Sequence, residues 1–250
     1  MEQFVFKTIG ATELVLKVYA PEQGSPHERR AAIVFFFGGG WQRGDIDQFK
    51  PHCEHLVSKG MVAVTAEYRV FTRHQTTPIE SVEDGKSAVA WVRRNAGRLG
   101  MDANRIAVAG GSAGAHVAAS TTLVPGFTDE ADPSICGANL LILYNPVTDT
   151  SETGYYAKKA ERRARDISPF HHMKPGLPDT LIFHGTGDTT VPFQQSERFA
   201  KAMLRHGNRC MIESYEGKEH GFYLRDPHFE EVLLKTERFL DQHGYFQPAD

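Results

Sequence analysis

Arg105-Ile106-Ala107-Val108-Ala109 runs straight into Gly110-Gly111-Ser112-Ala113-Gly114, and Ala115 to Ser120 follows with good helix formers. The first five residues read as a buried strand and the last six as the start of a helix. Strand, sharp Gly-bounded turn and helix together are the setting of a nucleophile elbow. So tight a turn brings the positions two before and two after the serine against backbone, which suits Gly110 and Gly114. The serine is then held strained, with its hydroxyl exposed. It also sits at a helix N-terminus, where free N–H groups favour developing negative charge. A bare Gly-x-Ser-x-Gly arises by chance in a chain with 23 glycines, so the flanking strand and helix are what single this one out. Ser112 is the candidate nucleophile.

Other apolar runs resemble the one that feeds the elbow. Ala31 to Phe37 is almost wholly apolar, as a strand buried on both faces must be. Met61 to Ala66, Asn139 to Tyr144, Thr180 to His184 and Arg209 to Tyr215 read as further strands. Leu14 to Tyr19 alternates and is half-buried, and Phe4 to Thr8 pairs with it as a hairpin across Gly10-Ala11-Thr12. Helical patterns fill the gaps: about Gln48 to Lys59, ended by Gly60, then Pro78 to Arg94, Phe193 to His206 and Phe229 to Gln242. Ile79, Val82, Ala88, Val89 and Val92 share one side of the second; Val232, Leu233, Phe239 and Leu240 are the apolar members of the last. Asp102-Ala103-Asn104 is a turn.

The result is an α/β fold of about eight strands. The first two strands are antiparallel, and the rest are joined by helices into a mostly parallel sheet covered on both faces. With no internal repeat and no low-complexity linker, residues 1–250 read as one domain. The stretch Val147 to Asp179 is too long for a plain loop and is expected to carry a small helix over the top of the sheet, as a partial lid.

Bulk properties exclude several classes. A net charge of −3 with no basic block argues against a nucleic-acid surface. The densest basic stretch, Lys158 to Arg165, is interrupted by Glu161 and reads as a solvated helix face. Cys53, Cys136 and Cys210 are widely spaced and odd in number, which speaks against a disulfide framework or a zinc site. No run of 18 apolar residues suggests a membrane span. Met1-Glu2-Gln3-Phe4 lacks the pattern of a secretory leader. A soluble chain is expected, cytoplasmic or secreted with its signal peptide absent; oligomeric state is left open.

A second glycine-rich element ends the Ala31 to Phe37 strand: Gly38-Gly39-Gly40-Trp41. Glycines there let backbone N–H groups converge on the oxyanion that forms when serine attacks a carbonyl. Gly39, Gly40 and the N–H of Ala113 are the candidates. No Lys or Ser/Thr follows in the order a phosphate loop needs. Serine requires a base, and in this topology the chain order is Ser, then acid, then His. Asp188 is the only carboxylate in the loop after Thr180 to His184, and His220 the only histidine in the loop after Arg209 to Tyr215. His220 takes the serine proton, and Asp188 orients its ring. Among the rivals, His184 supports the acid loop and His116 packs in the helix after the elbow. His171-His172 lies in the irregular segment, and Asp149 is the substitute acid. No carboxylate stands at ligand spacing beside the paired histidines, so neither metal nor other cofactor is expected.

With those residues in place, the sequence resembles the α/β-hydrolase superfamily. Within it, the chain is similar to the acetyl esterase/lipase group related to hormone-sensitive lipase and to bacterial feruloyl-esterase-like proteins. Gly38-Gly39-Gly40-Trp41, Tyr68-Arg69, Asp84 with Ala90-Trp91-Val92-Arg93, Gly110-Gly111-Ser112-Ala113-Gly114, Asp188, and Gly221-Phe222 beside His220 carry the likeness. It implies hydrolysis of short-chain acyl esters, small molecules or acetylated carbohydrate, with Trp41 and Phe222 flanking the pocket. The same triad serves amide hydrolysis, as in a formamidase or small peptidase. Members of this fold that only bind normally lack a triad residue, and here all three are present. Three departures stand out: Phe37 where the group has a loop-holding His, Gly111 where it often has an acid, and Ala115 where it often has Gly.

Overall fold

A computed structural model describes residues 1–22, 29–151 and 163–246. Part of the Lys158 to Arg165 stretch, and residues 152–162 of the expected lid, lie outside those residues.

The strands are β1 (Glu2–Ile9), β2 (Thr12–Tyr19), β3 (Arg30–Phe36), β4 (Val62–Ala66), β5 (Met101–Gly111), β6 (Leu140–Tyr144), β7 (Asp179–Gly185) and β8 (Cys210–Tyr215). They form one sheet in the order β1-β2-β4-β3-β5-β6-β7-β8. β2 runs antiparallel to both its neighbours, and every pairing from β4 to β8 is parallel. The helices are α1 (Lys50–Ser58), α2 (Phe71–His74), α3 (Pro78–Arg94), α4 (Ala113–Leu123), α5 (Gln194–Arg205) and α6 (His228–Gln242). This is the α/β-hydrolase arrangement.

Alternation along the central strands builds two cores. Ala32, Val34 and Phe36 of β3, with Ile106 and Val108 of β5, pack on the side of α3, α4 and α5. Ala31, Ile33 and Phe35, with Ala107 and Ala109, pack on the side of α1 and α6. Both faces are apolar because both are covered, which is why the strands read as unbroken hydrophobic runs. The α3 start is fixed by Thr77, whose side chain caps the helix in a capping box with Glu80. The turn expected at Asp102-Ala103-Asn104 exists as a local bond, Asn104 N–H to Asp102 Oδ1 at 2.8 Å. It is accommodated inside β5 as a register shift against β3, so the strand begins at Met101 rather than Arg105.

Asp84 ties the outer strands to α3. Its fully buried carboxylate accepts from Arg69 Nε at 2.7 Å, Arg69 Nη2 at 2.9 Å, Arg69 N–H at 2.9 Å and Lys7 Nζ at 2.8 Å. Tyr68-Arg69 and Asp84 are therefore structural members of the sequence pattern. In the described part of the 147–179 segment, Ala164 and Ile167 bury against Val82 of α3. The expected helix is represented there by a short 3-10 turn, Pro169–His172. No described helix is long and apolar enough to cross a membrane.

Candidate active site

Ser112 is the single residue between β5 and α4, at φ 55 and ψ −119. That backbone lies outside the helical and extended regions, a strain that the surroundings must impose. They do so through both backbone groups. Ser112 N–H donates to Tyr144 O at 2.8 Å, and Ser112 O accepts from His116 N–H at 3.1 Å. A Cβ on Gly110 would overlap the Gly114 carbonyl, and one on Gly114 would overlap the carbonyls of Phe36 and Phe37. The glycine spacing is thus a steric requirement of bringing β3, β5 and α4 together at the serine.

The acid and base stand at the next strand ends. Asp188 closes the turn after β7, its N–H donating to Gly185 O at 3.2 Å. Its Oδ1 accepts from the N–H groups of Thr190 and Val191, each at 2.9 Å. Its Oδ2 accepts from His220 Nδ1 at 2.7 Å and from Asn145 Nδ2 at 2.6 Å. His184 Nε2 stands 3.2 Å from that oxygen and 3.0 Å from Val191 O. Its Nδ1 meets Ser196 Oγ at 2.6 Å, so a proton on Nε2 satisfies both ring nitrogens. Burial pushes the Asp188 carboxyl up, but the bonds from His184, His220 and Val191 outweigh it and hold the carboxyl well below the ordinary carboxylate range. An ionised Asp188 fixes a proton on His220 Nδ1 and leaves Nε2 free to serve as base.

No hydrogen bond joins Ser112 Oγ to His220 among the described residues. Such contacts are often loose in free enzymes and tighten on binding. What joins the two halves is the end of β6: Tyr144 O holds the Ser112 backbone and the next residue, Asn145, holds Asp188.

Asn145 was not among the expected site residues. It is buried and sits at φ 45, a left-handed backbone that Asn tolerates better than most residues. The available signal was its place: a polar residue at the carboxyl end of a buried parallel strand, where open α/β sheets put their ligands. Asp149, the substitute acid, is engaged elsewhere. It accepts from Ser151 Oγ at 2.6 Å and Ser168 Oγ at 3.2 Å, and stands 3.4 Å from Arg198. His171 Nδ1 meets Ser168 Oγ at 2.9 Å, and His172 Nε2 meets Asp166 O at 2.7 Å. His116 is fully buried, with Nε2 at 2.7 Å from Ile167 O, and so pins the 147–179 segment to α4. Among the described residues no group of three His, Cys, Asp or Glu is placed to hold a metal ion.

The glycine loop turns sharply beside the elbow. Gly39, Gly40 and Trp41 have φ of 138, 63 and 57, and Gly39 O accepts from the N–H groups of Gln42 and Arg43. The N–H groups of Gly39 and Ala113 have no partner among the described residues, as donors reserved for an oxyanion require. Phe37 is buried and stacks on Tyr68 with ring centroids 4.2 Å apart, while Tyr68 O–H donates to Phe37 O at 2.6 Å. Gln48 Oε1 accepts from Gly38 N–H at 2.7 Å. Gly111 has a steric explanation too: a Cβ there would overlap the Tyr223 hydroxyl. The space of the group's acidic side chain is filled by a tyrosine from the loop beyond His220.

Two expectations are corrected. Trp41 is not a pocket wall: it is 1% exposed and meets His116 edge-on at 5.1 Å, within the core on the α4 side. The left-handed turn at Trp41 sends the indole down into the sheet rather than out over it. Phe222 is also buried, against Tyr215 at 4.6 Å and His228 at 6.0 Å, in the opposite core.

Comparison with known proteins gives the family and the fold. The BD-FAE family model matches residues 16–133 and 145–203, more than half of the chain. The chain belongs to the BD-FAE family. Its fold is that of solved α/β-hydrolase esterases: the apo form of Thermogutta terrifontis esterase 2 is 42% identical, with a TM-score of 0.94, over 99% of this chain and 96% of that one. The propionate-bound form of that esterase gives 41% identity and a TM-score of 0.93 over 100% and 96%. Carboxylesterase NlhH of Mycobacterium tuberculosis is 34% identical over 243 residues, 85% of this chain and 72% of that protein. Other curated relatives are longer. Esterase LipC of the same organism is 28% identical over 80% of this BD-FAE family chain but only 55% of its own length. The chain spans about half the length of several such relatives.

Proposed function

We propose that this protein is a carboxylic ester hydrolase that works through an acyl-enzyme. The observation that carries the reading is the Asp188–His220 pair at 2.7 Å, at the strand ends beside an elbow serine. His220 Nε2 takes the Ser112 proton as Oγ attacks the ester carbonyl. Negative charge develops on the carbonyl oxygen, where the N–H groups of Gly39, Gly40 and Ala113 receive it. His220 then protonates the departing alcohol, water enters, and the same cycle releases the acid. Nothing in the cycle calls for a cofactor.

Short-chain acyl esters are the substrate class we infer, acetylated carbohydrate among them. Thermogutta terrifontis esterase 2 has been solved with propionate and with butyrate bound, and phosphonylated by sarin. Phosphonylation is the chemistry of an activated nucleophile. Residues 1–250 act as one domain in this reading.

The test is hydrolysis of p-nitrophenyl acetate and butyrate by pure wild type and Ser112→Ala. Wild type is expected to turn over both, and Ser112→Ala to lose about 10⁴-fold or more in kcat. Retained activity in the variant overturns the assignment. A higher kcat/KM on matched N-formyl amides moves it to amide hydrolysis.

A further inference from the structure

The oxyanion loop has lost one anchor and holds another. In the resembling group a histidine before the three glycines steadies the loop. Here that position is Phe37, whose ring is committed to a stack on Tyr68 and has no polar atom to offer. We propose that Gln48 is the positioning residue of the oxyanion loop. The inference rests on the ester-hydrolase reading above.

Gln48 Oε1 accepts from Gly38 N–H at 2.7 Å, one residue before the free N–H of Gly39. Because the peptide unit is planar, fixing the 37–38 peptide fixes where the next one starts. The contact lies beside the nucleophile. A Cβ on Gly38 would stand 3.5 Å from both Gln48 Oε1 and Ser112 Cβ. The other end of Gln48 is equally held. Its N–H donates to Asp45 O at 3.1 Å, and Phe49, the next residue, is buried and stacks on Phe35 at 5.0 Å. Lys17 Nζ grips both oxygens of Asp47 at 2.7 Å. The amide is therefore a strut from a fixed segment to the glycine loop. It is also neutral. A carboxylate accepts the same N–H but places a negative charge next to a developing oxyanion, which costs the transition state what the hole supplies.

Two variants read this. Gln48→Met keeps the length and removes the acceptor; Gln48→Glu keeps the acceptor and adds charge. Each is assayed for p-nitrophenyl acetate hydrolysis, for thermal unfolding, and for the rate of labelling by a fluorophosphonate. Rates are divided by the concentration of sites that label at completion, so an unfolded fraction is removed from the comparison. Gln48→Met is expected to lose about 10- to 100-fold in kcat per site with KM within about threefold, and to lose labelling rate in proportion. Gln48→Glu is expected to keep the wild-type Tm and still lose kcat.

The proposal is overturned if Gln48→Met keeps kcat per site within about twofold of wild type, whether or not its Tm falls, because that is the signature of a purely structural contact. It is also overturned if the loss falls on KM alone. Failure of the ester-hydrolase reading shows separately, as a wild-type protein that neither turns over esters nor labels at Ser112.

Discussion

The two corners of the site are held in opposite ways. At the acid–base corner, over the ends of β6 to β8, both oxygens of the Asp188 carboxylate are fully partnered. Asp188 receives N–H groups from Asn145, His220, Thr190 and Val191, and His184 braces it from behind. At the oxyanion corner, over the ends of β3 and β5, the useful donors are the unpaired ones, Gly39 and Ala113 N–H. A charge that exists throughout the cycle is stabilised by bonds made in advance. A charge that exists only in the transition state needs donors kept idle, and idle donors cannot hold their own loop. The loop is therefore held by its neighbours: Gln48 on Gly38, Tyr68 on Phe37 O, and the packing of Phe37 itself.

The largest effect should come from the saturated corner. Asp188→Asn keeps the size and removes the charge, so the hydrogen-bond order around His220 Nδ1 inverts. The amide N–H₂ then faces the ring, and the tautomer with Nε2 as base is lost. The expected loss is about 10⁴-fold in kcat for acetate ester hydrolysis, with the protein still folded by circular dichroism. A loss below about tenfold would mean that Asp149 or another carboxylate substitutes, and the contrast between the corners would break.

A smaller effect separates packing from chemistry at the oxyanion corner. Gly111→Ala puts a methyl group onto the Tyr223 hydroxyl. Tyr223 cannot yield easily, since its ring lies over Tyr144 at 4.9 Å and Phe49 at 6.2 Å. The expected cost is about 1–3 kcal/mol in urea unfolding. The double variant Gly111→Ala/Tyr223→Phe removes the oxygen that overlaps the added methyl but leaves the ring carbon at 2.9 Å, so it should recover part of the cost and give a non-additive cycle. Additive costs would show that the two residues do not share the space.

The same contrast explains what the sequence could disclose. The places of Ser112, Asp188 and His220 at neighbouring strand ends were legible because topology dictates their order and each stands in a loop with a single candidate. The eight strands were legible because burial on both faces leaves unbroken apolar runs. Asn145 was hidden because its function depends on a left-handed backbone and on a partner 43 residues away, neither of which leaves a pattern. Gln48 was hidden for the same reason: a lone amide before a helix has no spacing rule. Gly111 and Phe37 were visible as departures, yet their compensations, Tyr223 and Gln48, come from other loops. Trp41 and Phe222 were misplaced because an aromatic beside a catalytic motif has no mark that tells core from pocket; side-chain direction decides it.

The last effect, on stability alone, concerns the two histidines that flank the corners. His184, behind Asp188, has partners for both nitrogens. His52 lies behind Phe49 on the oxyanion side, fully buried among Phe35, Phe49, Tyr144 and Phe229, and neither nitrogen has a partner among the described residues. Burial, and then the charge of His55, push its pKa from 6.5 down to about 3. Burial does the same to His116, to about 4. Below pH 6.5 the unfolded chain therefore binds more protons than the native one. The stability that these groups contribute is complete above that pH and drains away as pH falls toward about 4 and then about 3. Each costs about 1.4 kcal/mol per pH unit within its window. His52→Leu should raise stability at pH 7 by about 1–3 kcal/mol, since a buried imidazole without partners is exchanged for a side chain that needs none. It should also flatten the decline between pH 6 and 5 by about 1.4 kcal/mol, read as the urea midpoint at each pH. A fall in stability at pH 7 would show that the His52 ring is satisfied after all, and that the two sides of the site are built more alike than their bonds suggest.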